Sequence, residues 1–423
     1  MQMYRSGLTL VTALMLGSSA HAVTNITVWY PWGPPDGQAV VDRANEFNAM
    51  QKDIHVNPVL VSGSGIQGTT QGKFLTAVTS GQVPDAVLYW GQDVIPGLQN
   101  VGALLPLDSY FTAAGLKPAT FNQTALNAMK VDGKTYGIPQ MSSDLMLYYN
   151  KDMFKAAGLQ PPRTMAELDA AAAKLTVYKG KELVRAGFIP WLQQGLPLAY
   201  TGIFGGKLVG ADGKVNMLNS GTLKALQWEE GYVKKYGAAN LTRFISSIGS
   251  TTTSSGSDPF LLEKVAMEVN GQWHGNYLKR YKPNLNYGVV PIPYPVGGTP
   301  NATWINSNAW LVPKGSKNPE AALKFIAYMS QPEVSAKHAD AVYNISPITG
   351  ASKFQKTLNE PVVKLATRLF TGKVFTSPVT PQILNLQTEL NTAFEAVQQG
   401  TKTAQAALQT GQQNLDQAAA QGR

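Results

Sequence analysis

Leu147-Tyr148-Tyr149-Asn150-Lys151-Asp152-Met153-Phe154-Lys155-Ala156-Ala157-Gly158-Leu159 is the stretch on which the fold turns. Residues 146–149 are apolar and aromatic and read as a strand, and Asn150 then offers a short side-chain oxygen where a helix must satisfy its first N–H groups. Lys151 and Asp152 fill the first turn, and Gly158 can adopt the left-handed conformation that ends it. A strand passing directly into a helix is the building unit of an α/β protein.

The same alternation runs toward the N-terminus. Ile26-Thr27-Val28-Trp29-Tyr30 has strand length and β-branched composition, and the turn formers of 31–37 follow it. Residues 39–50 carry Val40, Ala44 and Phe47 at helical spacing. A second strand at 55–61, a Gly/Ser loop, a helix with Phe74, Leu75 and Val78, and a third strand at 86–90 complete the pattern. It predicts a parallel sheet with helices on its faces.

Toward the C-terminus, helices are expected at 165–175 and 223–236 and short strands at 265–269 and 287–290. Ala322, Phe325, Ile326 and Met329 mark one face of a helix over 319–329, and Trp304 and Trp310 flank a further strand. Residues 381–408 read as helical, with Ile383, Leu390, Phe394 and Val397 as the core stripe, and the Gln/Ala-rich end as a fraying helix or tail. Residues 246–257, nearly all Ser, Thr and Gly, read as a flexible loop. No internal repeat is present.

Arg5, the apolar run 8–16 and the closing Ala20-His21-Ala22 form a secretory signal, with cleavage expected after Ala22. The run is about half the ~20 residues that cross a bilayer. With no cysteine in the chain, no acylated anchor, disulfide or thiolate metal site is expected, and the product should be periplasmic or secreted. The formal charge is +9, and residues 1–22 remove one arginine and no acid, leaving +8. The basic residues are scattered, so a solvated surface is expected and no nucleic-acid partner.

Catalytic patterns are missing. His55, His274 and His338 are far apart in sequence and lack zinc-ligand spacing, so no metal or other cofactor is expected. Ser62-Gly63-Ser64-Gly65 is out of frame for a nucleophile elbow, and Gly65 to Lys73 lacks the hydroxyl residue that completes a phosphate loop. The acids are sparse, which disfavours paired-carboxylate hydrolysis without excluding it. What the chain offers is aromatic residues at strand ends: Trp29, Tyr30 and Trp32, then Tyr89 and Trp90, then Trp273, then Trp304 and Trp310. Ligands bind beyond the carboxyl ends of strands in open α/β sheets, and indole faces pack on sugar C–H faces.

In order, Gly81-Gln82-Val83-Pro84-Asp85-Ala86-Val87, Gly133-Lys134-Thr135-Tyr136-Gly137-Ile138-Pro139, the opening stretch, Phe204-Gly205-Gly206, Val265-Ala266-Met267 ahead of Gly271 and Trp273, and 317–329 resemble the family 1 extracellular solute-binding proteins. These include maltose-binding and glycerol-3-phosphate-binding receptors, and the resemblance covers about 26–408. It implies a type II periplasmic-binding-protein fold: two α/β lobes hinged as a clamp about an interlobe ligand cleft. Residues 23–137 plus 295–341 would form the N-terminal lobe, and 138–294 plus 342–423 the C-terminal lobe. The protein would be a monomeric, non-enzymatic receptor that delivers an uncharged mono- or oligosaccharide to the membrane permease of an ABC importer.

By the same resemblance the ligand residues are Tyr30, Trp32 and Asp36 after the first strand, Gln67, and Trp90 from one lobe. Ser142, Asp144, Trp191, Gly271 and Trp273 would serve from the other. Asn306, Ser307 and Asn308 stand where relatives carry Gly-Gly, so the Asn306 and Asn308 amides would replace backbone contacts. Glycerol-3-phosphate receptors have an arginine just before the helix that starts near Pro381, where this chain has Phe375-Thr376-Ser377-Pro378. Without that bidentate partner a neutral sugar is favoured. A receptor for a phosphorylated polyol or other anion, and a secreted carbohydrate-active enzyme, are the competing readings.

Overall fold

The computed structural model describes residues 22–61, 68–194, 196–248 and 256–421. The expected signal segment through His21, Gln67 and most of the Ser/Thr/Gly stretch therefore lie outside the described residues.

The strands are β1 (Thr24–Tyr30), β2 (Ile54–Leu60), β3 (Ala86–Tyr89), β4 (Gly137–Asn150), β5 (Met267–Gly271), β6 (Tyr287–Pro291), β7 (Thr303–Leu311) and β8 (Val374–Phe375). The helices that matter below are α1 (Asp36–Met50), α2 (Gly68–Ser80), α3 (Lys151–Ala156), α4 (Met165–Leu175), α5 (Pro197–Ile203), α6 (Ser220–Tyr236), α7 (His274–Tyr281), α8 (Pro319–Met329), α9 (Pro332–Val342), α10 (Pro361–Phe370), α11 (Ile383–Gln398) and α12 (Ala404–Ala420).

β1 lies between β2 and β3 and is parallel to both, as the alternation predicts. β7 then adds antiparallel to β3, so the sheet is mixed rather than wholly parallel. β4 pairs antiparallel with β7, and its far half pairs with β5 and β6. One long strand thus belongs to two sheet regions.

Two apolar cores flank this junction. In the first, Val40 and Phe47 of α1 and Leu323, Phe325 and Ile326 of α8 pack with Ile26, Val28, Leu88 and Trp310. Phe74 of α2, Val87, Ile95 and Leu311 cover the opposite face of the same strands. The second core gathers Leu145, Leu147 and Tyr148 with Leu168, Leu226, Val269, Val363 and Phe394. Burial on this scale, at about 25 cal/mol per Å² of apolar surface, provides the stability that disulfides provide in cysteine-rich secreted domains.

The opening stretch folds as read. Asn150 accepts from the Met153 N–H at 3.0 Å and caps α3, and Gly158 has φ +64°. The strand before it extends back to Gly137, which apolar periodicity missed because Pro139, Gln140, Ser142, Ser143 and Asp144 interrupt the pattern. Trp304 and Trp310 lie within β7 instead of flanking a strand, and Trp310 is fully buried with its indole N–H on Gln140 Oε1 at 2.6 Å. The C-terminal helix is two helices broken at Gly400, φ +70°. The Gln/Ala-rich end is ordered helix, because Leu408, Gly411 and Leu415 form its buried stripe.

Candidate functional site

The site is organised by two neighbouring strands. In β4 and β7, Asp144 stands opposite Ile305, Ser143 opposite Asn306, Ser142 opposite Ser307 and Met141 opposite Asn308, with a register shift at Asn308/Ala309. A third passage joins them. The Ser142 N–H donates to the Ile345 carbonyl at 2.8 Å and the Ile345 N–H returns to Ser142 at 3.1 Å. Alternation sends Ser142, Asp144 and Ser307 to one face and Ser143, Asn306 and Trp304 to the other. The Ser142 and Ser307 hydroxyls meet at 2.9 Å.

On the Asn306 face lies a hollow between the two cores, walled by Trp90, Trp304, Pro197, Leu198, Asn306 and Asn391. Asn306 spends its amide inside the chain. It donates to the Trp90 carbonyl at 3.2 Å and accepts from the N–H groups of Gln92 at 3.3 Å and Ser307 at 2.9 Å. Its geometry fixes the end of β3, and with it the half-exposed Trp90 ring. The Trp304 indole N–H and the Tyr89 hydroxyl have no partner. Asp93, buried at the rim, accepts from Gln387 of α11, and burial pushes its carboxyl up.

On the other face, Asp144 is fully buried and neither carboxylate oxygen has a partner. Burial therefore pushes its carboxyl well up. Its N–H donates to Gln272 Oε1 at 3.2 Å, and Gln272 Nε2 donates to the Ser142 carbonyl at 3.1 Å. The adjoining Gly271 carbonyl accepts from the Tyr148 hydroxyl at 2.8 Å. Gly271 has no room for a Cβ, because the half-buried Trp273 ring folds over it.

Tyr30 and Trp32 are partly buried against the first core, and the Trp32 carbonyl and Tyr30 ring close over Gly37 so that only glycine fits there. This packing places Asp36 at the start of α1, where it accepts from the Tyr277 hydroxyl of α7. Burial pushes the Asp36 carboxyl up to about 7, and the Tyr277 hydrogen bond opposes that rise. Trp191 is half-buried on the second core, and Asn308 is buried opposite Met141.

The structure thus brings Trp90 together with Asn306, and Ser142 and Asp144 together with Gly271 and Trp273. Sequence reasoning named Trp304 only as a strand-end aromatic and Gln272 only within the Gly271–Trp273 segment, and it missed Tyr277 and Asn391. Gln272, set between Gly271 and Trp273, and Tyr277, four residues on along one helix face, had legible positions. Trp304 and Asn391 depend on how distant segments meet. Among the described residues one group of three carboxylate and imidazole side chains converges with metal-ligand spacing, Asp258, Glu268 and His274, behind the Gly271–Trp273 loop.

Two apolar cores, three chain passages between them and a hollow beside the passages are the architecture of a two-lobed clamp. Residues 31–336 match the family described as bacterial extracellular solute-binding protein, and the chain belongs to that family. CpMnBP1 with mannobiose bound is 42% identical and superposes with a TM-score of 0.88, covering 93% of this chain and 100% of that one. The maltodextrin-binding protein MdxE of Bacillus subtilis is 30% identical over 263 residues, 59% of this chain and 57% of its own length. This chain therefore spans less than two thirds of that relative. The sn-glycerol-3-phosphate-binding periplasmic protein UgpB of Escherichia coli O1:K1 / APEC is 28% identical over 428 aligned residues, covering 95% and 94%. Among the described residues no helix is long and apolar enough to cross a membrane.

Proposed function

We propose that the chain is a non-enzymatic, extracytoplasmic receptor that binds an uncharged short oligosaccharide and presents it to an ABC importer permease. The observation that carries this reading is the likeness, 42% identical along 93% of the chain, to a protein seen with mannobiose bound. A second structure of that protein holds mannotriose, with a TM-score of 0.87. A short mannoside is therefore the first ligand to try. The partly exposed rings of Trp32, Trp90 and Trp273 offer stacking surface, and no lysine or arginine lines the hollow beside Trp90, which supports a neutral ligand.

The expected lobes, 23–137 plus 295–341 and 138–294 plus 342–423, are part of this proposal, as are a monomeric state and a cleaved signal. The separation of the first and second cores supports the division in outline, with Trp304 packed in the second core and Ile348 and Ala351 in the first. The three passages at 139–144, 305–308 and 343–345 would then act as the hinge.

The full-length alignment with UgpB favours one other ligand, glycerol 3-phosphate. Thermal-shift and calorimetric titration with mannobiose, mannotriose, maltotriose and glycerol 3-phosphate separates the two. We expect a neutral saccharide to raise Tm, with a Kd insensitive to salt because no charge pair is screened. Binding of glycerol phosphate alone, or release of cleaved sugar, would overturn the proposal.

A further inference from the structure

We propose that Asp258, Glu268 and His274 form a binding site for a divalent transition-metal cation, with zinc as the best-matched ion. Each offers one ligand atom, and these atoms all lie within 4.8 Å of one another. All three side chains are buried, at 0%, 1% and 0% exposure. His274 Nε2 lies 3.0 Å from Glu268 Oε1, yet the ring N–H does not meet hydrogen-bond geometry there, and neither ring nitrogen has a partner. Glu268 Oε2 is likewise unpartnered. Unsatisfied ligand atoms converging on one point inside a core, where each is costly to leave unpaired, are what a shared cation resolves.

The surroundings are those of a supported metal site. Asp258 Oδ1 accepts from the N–H groups of Phe260 at 2.8 Å and Leu261 at 3.2 Å, and its Oδ2 accepts from Gln193 Nε2 at 2.7 Å. Glu268 Oε1 accepts from Asn270 Nδ2 at 2.9 Å. Hydrogen bonds of this kind orient ligand atoms and fix their charge. Gln193 Oε1 is also enclosed and without a partner. Two carboxylates and a neutral imidazole balance a divalent ion, and among the described residues no lysine or arginine forms an ion pair with either acid. Burial, with the Glu268 charge adding to it, pushes Asp258 up to about 7, and burial pushes Glu268 up to about 8 and His274 down.

The imidazole selects the ion class. Calcium and magnesium prefer all-oxygen shells, whereas zinc takes nitrogen at about 2.0–2.1 Å and carboxylate oxygen at about 2.0–2.2 Å. Side-chain adjustments of roughly an ångström bring the three ligand atoms to those distances. Glu268 lies on β5 and His274 begins α7, so the ion would tie together both ends of the loop that holds Gly271 and Trp273.

The test uses tag-free full-length protein, stripped with chelator, repleted with zinc chloride and desalted, with zinc measured by mass spectrometry. One equivalent per chain is expected, together with a zinc-induced rise in Tm that calcium chloride does not reproduce. Cobalt substitution should give visible absorption bands of a low-coordinate site. Glu268→Gln and Asp258→Asn, both near-isosteric, should weaken zinc binding by at least about tenfold. Failure of the wild-type chain to take up zinc would overturn the proposal, and so would undiminished uptake in both variants or an equal response to calcium. None of these readouts involves sugar, so the outcome is independent of the receptor reading.

Discussion

The Tyr277 hydroxyl donates a hydrogen bond to an Asp36 carboxylate oxygen, linking α7 on the second core to α1 on the first across 241 positions of sequence. The other Asp36 oxygen is enclosed without a partner. One side-chain pair thus spans the two halves of the clamp where the sequence placed only a ligand contact.

Its pH dependence follows from the raised carboxyl. An acid whose folded value of about 7 exceeds the ordinary value of 3.8 binds more protons folded than unfolded in between. The stability it contributes is fully present below pH ~4 and is lost as pH rises through ~7. Replacing Asp36 by Asn should flatten the fall of Tm across that window, measured by scanning calorimetry at several pH values. A slope equal to that of the wild type would show that Asp36 does not titrate there.

Tyr277→Phe removes the donor and leaves an enclosed carboxyl with neither oxygen bonded. A loss of about 1–3 kcal/mol is expected in denaturant unfolding at pH 5, from the uncompensated group. Double-mutant analysis with Asp36→Ala should recover most of it, because the acceptor that needed the hydroxyl is gone.

Trp273 and Trp32 are expected to supply stacking surface. Trp273→Ala and Trp32→Ala should each weaken saccharide binding by about 2 kcal/mol or more, roughly 30-fold, with smaller changes in the unliganded Tm. Calorimetric titration reads this directly, and wild-type affinity in either variant would remove that residue from the site.

Gly271→Ala sets a methyl group against the Trp273 ring. The ring must swing away, so a cost of about 1–3 kcal/mol in stability and a change in Trp fluorescence are expected. An unaltered emission spectrum would show that the ring does not depend on the absent Cβ.

Glu229 of α6 is fully buried, accepts from Gln398 Nε2 at 2.9 Å and is pushed up to about 8 by burial. Its protonated form is the stabilising one, so stability falls as pH rises through ~8. Glu229→Gln keeps the acceptor and cannot ionise, and it should raise Tm at pH 9 relative to wild type while changing little at pH 5.

The α/β alternation was legible because Val28, Val40, Phe47 and Phe325 follow the periods of their elements. β4 was half hidden, since its middle is polar where the chain passes between cores and periodicity reports only which face is buried. The site was legible in kind. Aromatic residues at strand ends and the Gly271–Trp273 segment announced themselves locally, as did Asp36. The Asn306 amide, expected to reach ligand, instead holds the end of β3, and the partners Tyr277 and Gln272 are set by contacts across 241 and 128 positions, which no local pattern encodes. Asp258, Glu268 and His274 looked unrelated for the same reason.

β7 sits between β3 and β4, and Phe325 of α8 completes the core that Ile26 begins. Until residue 325 or so has left the ribosome, β3 has an open edge and the first core lacks one wall. The N-terminal segments therefore cannot finish folding early in synthesis, and the chain must pass through a long interval as an incomplete, association-prone intermediate. Such a chain remains available to holding factors while it is being made, and its folding is dominated by contacts between distant segments.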